Sequence, residues 1–164
     1  MKFIKLPVAT ADGEFVARYS EKGLAGLSFP EAKGFIAPKP GEDGPIPTKI
    51  RAWHRLTAAA LKAVLAGRAV KQFPPLDMAG TEFQKSVWSA LLKITAGKTK
   101  SYGEIARQIG RPKAVRALGG ACGANPVPVL VPCHRVLAAN KKLGGFSGGL
   151  DWKRSLLERE GIIV

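Results

Sequence analysis

Apolar and polar residues alternate in three short runs along the first thirty positions. The runs are 3–6, 14–19 and 24–29, and they are separated by the turn residues Asp12-Gly13 and Glu21-Lys22-Gly23. Alternation with a period of two, interrupted by Gly and Asp, is typical of half-buried strands joined by tight turns. The pattern therefore predicts a small antiparallel meander.

A helical spacing follows a proline-rich stretch. Residues 30–47 contain five prolines, and we expect a mobile loop there. Apolar residues then recur every three or four positions from Thr48, which can cap the helix, to about Ala66. The connector 68–80, rich in Pro and Gly, marks the expected domain boundary.

The rest of the chain is predicted to be mostly helical. Thr81 with Gln84, and Ser101 with Glu104, have the spacing of capping boxes. Pro112 suits the first turn of a helix. The predicted spans are 81–97, 101–110, 112–123 and 151–160. The middle two resemble a helix-turn-helix with a tight turn, although an ordinary αα-hairpin fits the same pattern.

The predicted fold class is therefore α+β. We expect a small N-terminal α/β domain at 1–79, with an antiparallel meander plus a helix. A mostly helical C-terminal domain with a helix-turn-helix is expected at 80–164.

Charge points to a polyanionic partner. The 164 residues include 26 Lys+Arg and 12 Asp+Glu, a formal net charge of +14. Nucleic acid is the commonest partner of such a chain, although a basic protein that is merely soluble fits equally well. Seven basic residues lie from Lys93 to Arg116, opposed by Glu104 alone. This concentration favours a binding surface near the predicted helix-turn-helix.

Composition excludes several other classes. Apolar residues make up 46% of the chain, enough for a core, but charges interrupt every stretch long enough to span a membrane. Charged residues interrupt the apolar residues of the N-terminus, so it lacks the continuous apolar stretch of a signal peptide. Two cysteines do not make a disulfide framework, and their spacing is not that of a zinc site. We expect a cytoplasmic protein, nucleoid-associated if the source is prokaryotic, without metal or organic cofactor.

The unusual segment is 125–136, in which a thiol stands among prolines and apolar residues. Prolines restrict the backbone around Cys133, and its neighbours His134 and Arg135 can lower the pKa of the thiol. A thiolate is the useful nucleophile, and His134 is the natural base, acting through a bridging water. A buried structural cysteine is the simpler alternative. The orienting carboxylate stays open among Glu82, Glu104, Asp151, Glu158 and Glu160.

About eighty residues of the second half resemble the O6-alkylguanine-DNA alkyltransferase family. The matching segments, in chain order, include 80–84, 101–106, 116–121, 131–136 and 145–150. Pro-Cys-His-Arg-Val, at 132–136, is the most specific of them. Residues 1–79 resemble the family only in layout, and the resemblance implies a ribonuclease H-like fold for them.

The resemblance implies a role for each matching site residue. Cys133 would accept the alkyl group, His134 would deprotonate it through a water, and Glu160 would orient His134. Asn125 would brace the turn before the active-site segment. Tyr102 would help to rotate the target nucleotide and protonate the leaving guanine.

The same resemblance assigns the DNA-binding and pocket residues. Arg116 would enter the duplex in the minor groove and fill the space that a flipped base leaves. Small residues beside it would let the helix approach the groove, and these are Ala114, Ala117 and Gly119. The expected substrate-pocket residues are Val136, Ser147, Cys122 and Pro128.

The implied reaction is a direct displacement that leaves a thioether on the protein, so each molecule would act once. The expected partner is double-stranded DNA carrying O6-alkylguanine. Activity on O4-alkylthymine and cooperative binding along DNA stay open, and we expect a monomer. Phe146 stands where many members of the family have Tyr. Cys122 either simply fills the pocket wall or, as a small residue, widens the pocket for larger alkyl groups.

Three other classes fit parts of the pattern. Non-catalytic lesion readers share the scaffold but lack the acceptor cysteine. A helix-turn-helix regulator would need a dimer interface or an effector domain. A cysteine hydrolase would need an oxyanion hole and turnover.

Overall fold

Three antiparallel strands open the chain in the computed structural model, which describes residues 2–32, 38–39 and 41–164. They pair in the order β1-β2-β3, and their bounds are β1 Ile4–Thr10, β2 Gly13–Tyr19 and β3 Leu24–Ser28. The meander is confirmed. Part of the predicted mobile loop at 30–47 lies outside the described residues.

Strand β1 is longer than its sequence pattern predicts, because it continues through a proline. Pro7 pairs with Val16 of β2 in the register of the ladder. Proline lacks the N–H that a central strand needs, but an edge strand tolerates it. β1 lies at the edge of the sheet, which explains the tolerance.

Helix α1 (Thr48–Leu65) packs on this sheet and on the C-terminal helix. Its N-cap is Pro47 and no side chain caps it, so the predicted capping role of Thr48 is wrong. The helix ends close to the predicted Ala66, which is its C-cap, and Gly67 follows at φ +73°. A side chain at Gly67 would collide with the carbonyl of Arg159, so the close contact between the two helix ends requires glycine.

Four helices form the second half, namely α2 (Glu82–Leu91), α3 (Tyr102–Gln108), α4 (Val115–Gly123) and α5 (Leu150–Arg159). Both predicted capping boxes are present, at the starts of α2 and α3. The α+β class is confirmed, and α3 packs against α4 as the two helices of the predicted helix-turn-helix.

Two predicted helix boundaries are wrong. Helix α2 ends at Leu91 rather than Gly97, because the chain turns there and the Ile94 carbonyl accepts a hydrogen bond from Arg135, 41 residues away. Helix α4 begins at Val115 rather than Pro112, since a turn closed by a hydrogen bond from Ala114 N to the Arg111 carbonyl precedes it.

A short parallel pair, absent from the sequence prediction, positions the thiol segment. Strands β4 (Lys100–Ser101) and β5 (Val136–Leu137) pair directly before α3 and directly after a 3₁₀ turn at Cys133–Arg135. The turn is in contact with α2 and α5. The thiol therefore lies where three elements of the helical half meet.

One hydrophobic core joins the sheet to the helices. Phe15 and Tyr19 of β2 belong to the same buried cluster as Trp88 of α2 and Leu156 of α5. The domain boundary near residue 80 stays a prediction. Within the described residues, no helix is long and apolar enough to cross a membrane, and no three potential metal-ligating side chains come together.

Candidate active site

Asn125 holds the loop that carries the thiol. Its side-chain oxygen accepts a hydrogen bond from Val127 N at 3.0 Å, and its Nδ2 donates to the Val131 carbonyl at 2.9 Å. Val129 between them has φ +75°, an unfavourable conformation for a β-branched residue. The Asn125 side chain thus holds a strained loop in place, as a brace of this turn must.

Cys133 lies at the end of that loop with 3% of its surface exposed. Asn125 Nδ2 also donates to Cys133 Sγ at 3.3 Å. Burial raises the pKa of the thiol, while the hydrogen bond from Asn125 and the charge of Lys153 oppose the rise. The thiol is therefore protonated at rest, and the donors around it favour the thiolate once the proton leaves.

A buried carboxylate organises the residues that follow the thiol. Glu160 lies within 3.0 Å of His134 Nε2 and accepts hydrogen bonds from Arg135 Nε at 2.8 Å and from Gly97 N at 3.0 Å. Burial alone would raise the pKa of Glu160, but hydrogen bonds from these three groups lower it to about 2. Glu160 is thus ionised, and the Glu160–His134 pairing expected from the resemblance is present.

His134 has one ring nitrogen free to act. Because Nε2 faces an ionised carboxylate, it carries the proton, and Nδ1 is left as the acceptor. Nδ1 is buried and has no hydrogen-bond partner among the described residues. Burial lowers the pKa of His134, so the ring is neutral at rest. The arrangement gives a base with its accepting nitrogen unpaired.

The sequence suggested that Arg135 could lower the pKa of the thiol, but in the structure its side chain is engaged elsewhere. Its guanidinium binds both oxygens of Glu160 and the Ile94 carbonyl. Its charge therefore compensates the carboxylate, and it ties the end of α2 to this network.

Lys153 is a site residue for which no role was predicted. Its side chain is fully buried, and its Nζ donates to the carbonyls of Val136 at 2.7 Å and Gly145 at 3.1 Å. One signal was present in the sequence, because Lys153 occupies the same helical face as the apolar Leu156 and Leu157. A lysine on an apolar face of a helix suggests a buried polar contact.

The thiol opens into a pocket of about 550 Å³. Ten residues line it, namely Tyr102, Val115, Arg116, Gly119, Cys122, Gly123, Cys133, Gly145, Phe146 and Ser147. The structure thus brings together six of the residues expected from the resemblance, which are Cys133, Tyr102, Arg116, Gly119, Cys122 and Ser147.

Two of the four residues expected to form the substrate pocket, Val136 and Pro128, do not line it. Both are buried, and the carbonyl of Val136 accepts a hydrogen bond from Lys153. Ala114 is the half-buried residue before α4, and Ala117 is exposed on α4. Val136 and Pro128 are therefore buried outside the lining, while Ala117 belongs to the exposed surface of α4.

The rim of the pocket is formed by an aromatic and a cationic side chain. Arg116 is exposed on α4, and Tyr102 is half-buried at the start of α3. Burial raises the pKa of Tyr102 to about 12, so its hydroxyl keeps its proton at neutral pH. The seven basic residues from Lys93 to Arg116 are all exposed, and the ion pairs of the described chain include none of them.

Comparison with known proteins assigns the family. The family described as "6-O-methylguanine DNA methyltransferase, DNA binding domain" matches residues 82–162. The crystal structure of Mycobacterium tuberculosis O6-methylguanine methyltransferase is 38% identical, with a TM-score of 0.77 over 97% of this chain and 93% of that one. The chain belongs to the O6-methylguanine-DNA methyltransferase family.

Two further members of the family define how far the similarity extends. The M. tuberculosis methylated-DNA–protein-cysteine methyltransferase is 54% identical over 100 residues, which are 61% of this chain and 61% of that protein. A crystal structure of M. tuberculosis OGT in complex with DNA is 39% identical, with a TM-score of 0.74 over 94% of this chain and 90% of that one. The sequence match to the curated relative thus spans about three fifths of its length, and the structural match spans nearly the whole chain.

Proposed function

We propose that this chain repairs DNA by transferring the alkyl group of O6-alkylguanine to Cys133. The observation that carries the proposal is the thiol in a pocket of about 550 Å³, a size typical of small-molecule sites, with the His134–Glu160 pair beside it. The names of the M. tuberculosis relatives support the same substrate class, and the DNA complex supports DNA as the partner.

The chemistry needs only groups that this chain supplies. The proton of Cys133 passes through a water to His134 Nδ1, and the thiolate attacks the alkyl carbon. The Sγ–C bond forms while the C–O6 bond breaks, and its electron pair stays with guanine. Guanine takes up a proton from the Tyr102 hydroxyl, which lines the pocket, and Tyr102 and His134 then re-equilibrate with solvent. The thioether is not hydrolysed, so one molecule would repair one base.

A base within the stack must leave it to reach the thiol. O6 of guanine lies inside the duplex, so the nucleotide would be rotated out at a cost of about a few kcal/mol. Arg116, exposed on the pocket rim, is positioned to occupy the vacated space. Because α4 carries Gly119 and Gly120, its surface is narrow enough to suit the minor groove.

The test is a mass measurement on intact protein after incubation with a duplex that carries O6-methylguanine. We expect a gain of one methyl group per molecule, located on Cys133 and absent in Cys133→Ala. Cys122→Ala is the matched control, since Cys122 lines the same pocket, and it should still gain the methyl group.

The other outcomes separate the alternatives. Unchanged mass with tight binding to the lesion would indicate a reader, and unchanged mass without preference for the lesion would contradict the proposal. A parallel incubation with O4-methylthymine tests the second substrate.

A further inference from the structure

The outer face of α1 is a second basic surface, remote from the pocket. No acidic residue occurs between Asp43 and Asp77, whereas this stretch contains six basic ones, which are Lys49, Arg51, Arg55, Lys62, Arg68 and Lys71. None of them lines the pocket, and α1 packs against the sheet and α5 rather than against α3 or α4.

Three of these cations form a stripe. At about 100° per residue, Arg51, Arg55 and Lys62 lie within about 40° of one another around the helix axis. All three are exposed, and the stripe extends over about 16 Å at 1.5 Å per residue. We define these three residues as the α1 stripe.

No ion pair among the described residues involves the α1 stripe, although Glu42 and Asp43 line the same surface cavity as Arg51. The cationic partners of the three ion pairs found in the described part of the chain are His134, Arg135 and Arg159, so no member of the stripe takes part. Among the described residues, the stripe makes one side-chain hydrogen bond, from Arg51 Nε to the Ile46 carbonyl. The outer nitrogens of that guanidinium have no partner there. Three unpaired like charges on one helix face repel one another, and a polyanion would relieve that repulsion.

We propose that the α1 stripe binds the phosphate backbone of a second duplex DNA segment while α4 holds the first. DNA is favoured over other polyanions because the proposed function, on which this inference rests, already brings DNA to the protein. Arginine and lysine contacts to phosphate are independent of sequence. A protein with two such surfaces transfers from one duplex to another without dissociating, which speeds a search through undamaged DNA.

The experiment measures the release of a short, labelled, undamaged duplex when unlabelled duplex is added. Wild type should release the label at a rate that rises in proportion to competitor concentration. Arg51→Gln/Arg55→Gln/Lys62→Gln should release it at a constant rate, equal to that seen on simple dilution. Glutamine retains helix propensity, so the variant should melt like wild type.

A matched control removes three charges elsewhere. Lys22→Gln/Lys85→Gln/Arg154→Gln neutralises exposed residues outside α1 and outside the helix-turn-helix, and its release should still accelerate with competitor. The wild-type salt slope for the second duplex should exceed that of the stripe variant by about 0.9 per lost contact, about 3 for the triple.

Three outcomes would overturn the inference. The first is a wild-type release rate that does not depend on competitor concentration. The second is an equal release rate for the stripe variant and the control variant. The third is release that anionic lipid vesicles accelerate and DNA does not. Methyl transfer to a short damaged duplex should be unchanged in the stripe variant. Because the release assay uses undamaged DNA, a failure of the proposed transfer reaction would be seen separately.

Discussion

Helices α1 and α4 both present arginine to the surface, but of the two only α4 lines the pocket that contains Cys133. Helix α1 has 18 residues and presents the α1 stripe on one side, with a buried apolar face on the other. Helix α4 has 9 residues, a single cation at Arg116, and glycines along the pocket. Positive charge therefore extends beyond the reactive site of this molecule. The charge excess is spread over two regions, whereas shape and chemistry belong to one.

The largest difference between the two regions is the buried polar network of Glu160, His134 and Arg135, which directly follows the thiol of the α4 pocket. Glu160→Gln would leave the Arg135 guanidinium buried without a counter-charge, because Glu160 supplies both of its carboxylate contacts. Breaking one partner of a buried pair costs about 3–5 kcal/mol. We expect a loss of that size in the free energy of unfolding, measured by denaturant titration, together with slower methyl transfer.

Glu158→Gln is the control for this prediction, since Glu158 lies on the same helix and is exposed. Its stability should change by less than about 0.5 kcal/mol. Equal stabilities of the two variants would show that the network does not hold the site together.

The second prediction tests whether Arg116 of α4 does more than contribute positive charge. Arg116→Ala should slow methyl transfer from duplex DNA by about tenfold to a hundredfold, because the base would leave the stack without a side chain to replace it. Transfer from the free base O6-methylguanine should be unchanged, since that substrate needs no rotation.

Arg111→Ala removes a neighbouring exposed arginine that does not line the pocket, and it should affect duplex binding only through its charge. If both variants slowed both substrates equally, Arg116 would have no role beyond electrostatics.

The third prediction tests pocket shape without changing charge. Cys122 is buried in the pocket wall, and burial raises the pKa of its thiol to about 12, so it is neutral. Cys122→Met should reduce the space in the pocket. It should therefore lower the rate of benzyl transfer relative to that of methyl transfer, by about tenfold or more for each carbon atom that no longer fits. An unchanged ratio of the two rates would contradict a role for Cys122 in alkyl size.

Local features of the fold followed from the sequence, whereas features set by distant contacts did not. The capping boxes of α2 and α3 depend on residues three positions apart, and both formed as predicted. The end of α2 depends on Arg135, 41 residues further along, and no pattern near Leu91 indicates it. The pairing of β4 with β5 is likewise a long-range contact.

The candidate site shows the same division. The reactive character of 125–136 was evident from its prolines, its thiol and the adjacent His134. The carboxylate partner was not, because Glu160 is 26 residues from His134 and four other carboxylates were equally available. Only the family resemblance pointed to Glu160. Lys153 was missed because its role depends on two backbone carbonyls, which no side-chain pattern reveals.

The smallest expected effect lies where the sheet, α1 and α5 meet. Asp12, in the β1–β2 turn, binds both terminal nitrogens of Arg159, which also donates to the Leu65 carbonyl at the end of α1. The hydrogen bonds from Arg159 lower the pKa of Asp12. Since both side chains are about one quarter exposed, the pair contributes about 0.5–1 kcal/mol. Asp12→Asn should lower the free energy of unfolding by that amount, as measured by thermal melting. Glu14→Gln, two residues away and exposed, is the control.

Methyl transfer by Asp12→Asn should equal wild type, because Glu160 is held by His134, Arg135 and Gly97 rather than by its neighbour Arg159. A loss of transfer larger than the loss of stability would mean that the sheet and α1 support the chemistry through this contact. The two regions would then be coupled in the reaction, and the division of the molecule into a charged surface and a reactive pocket would no longer hold.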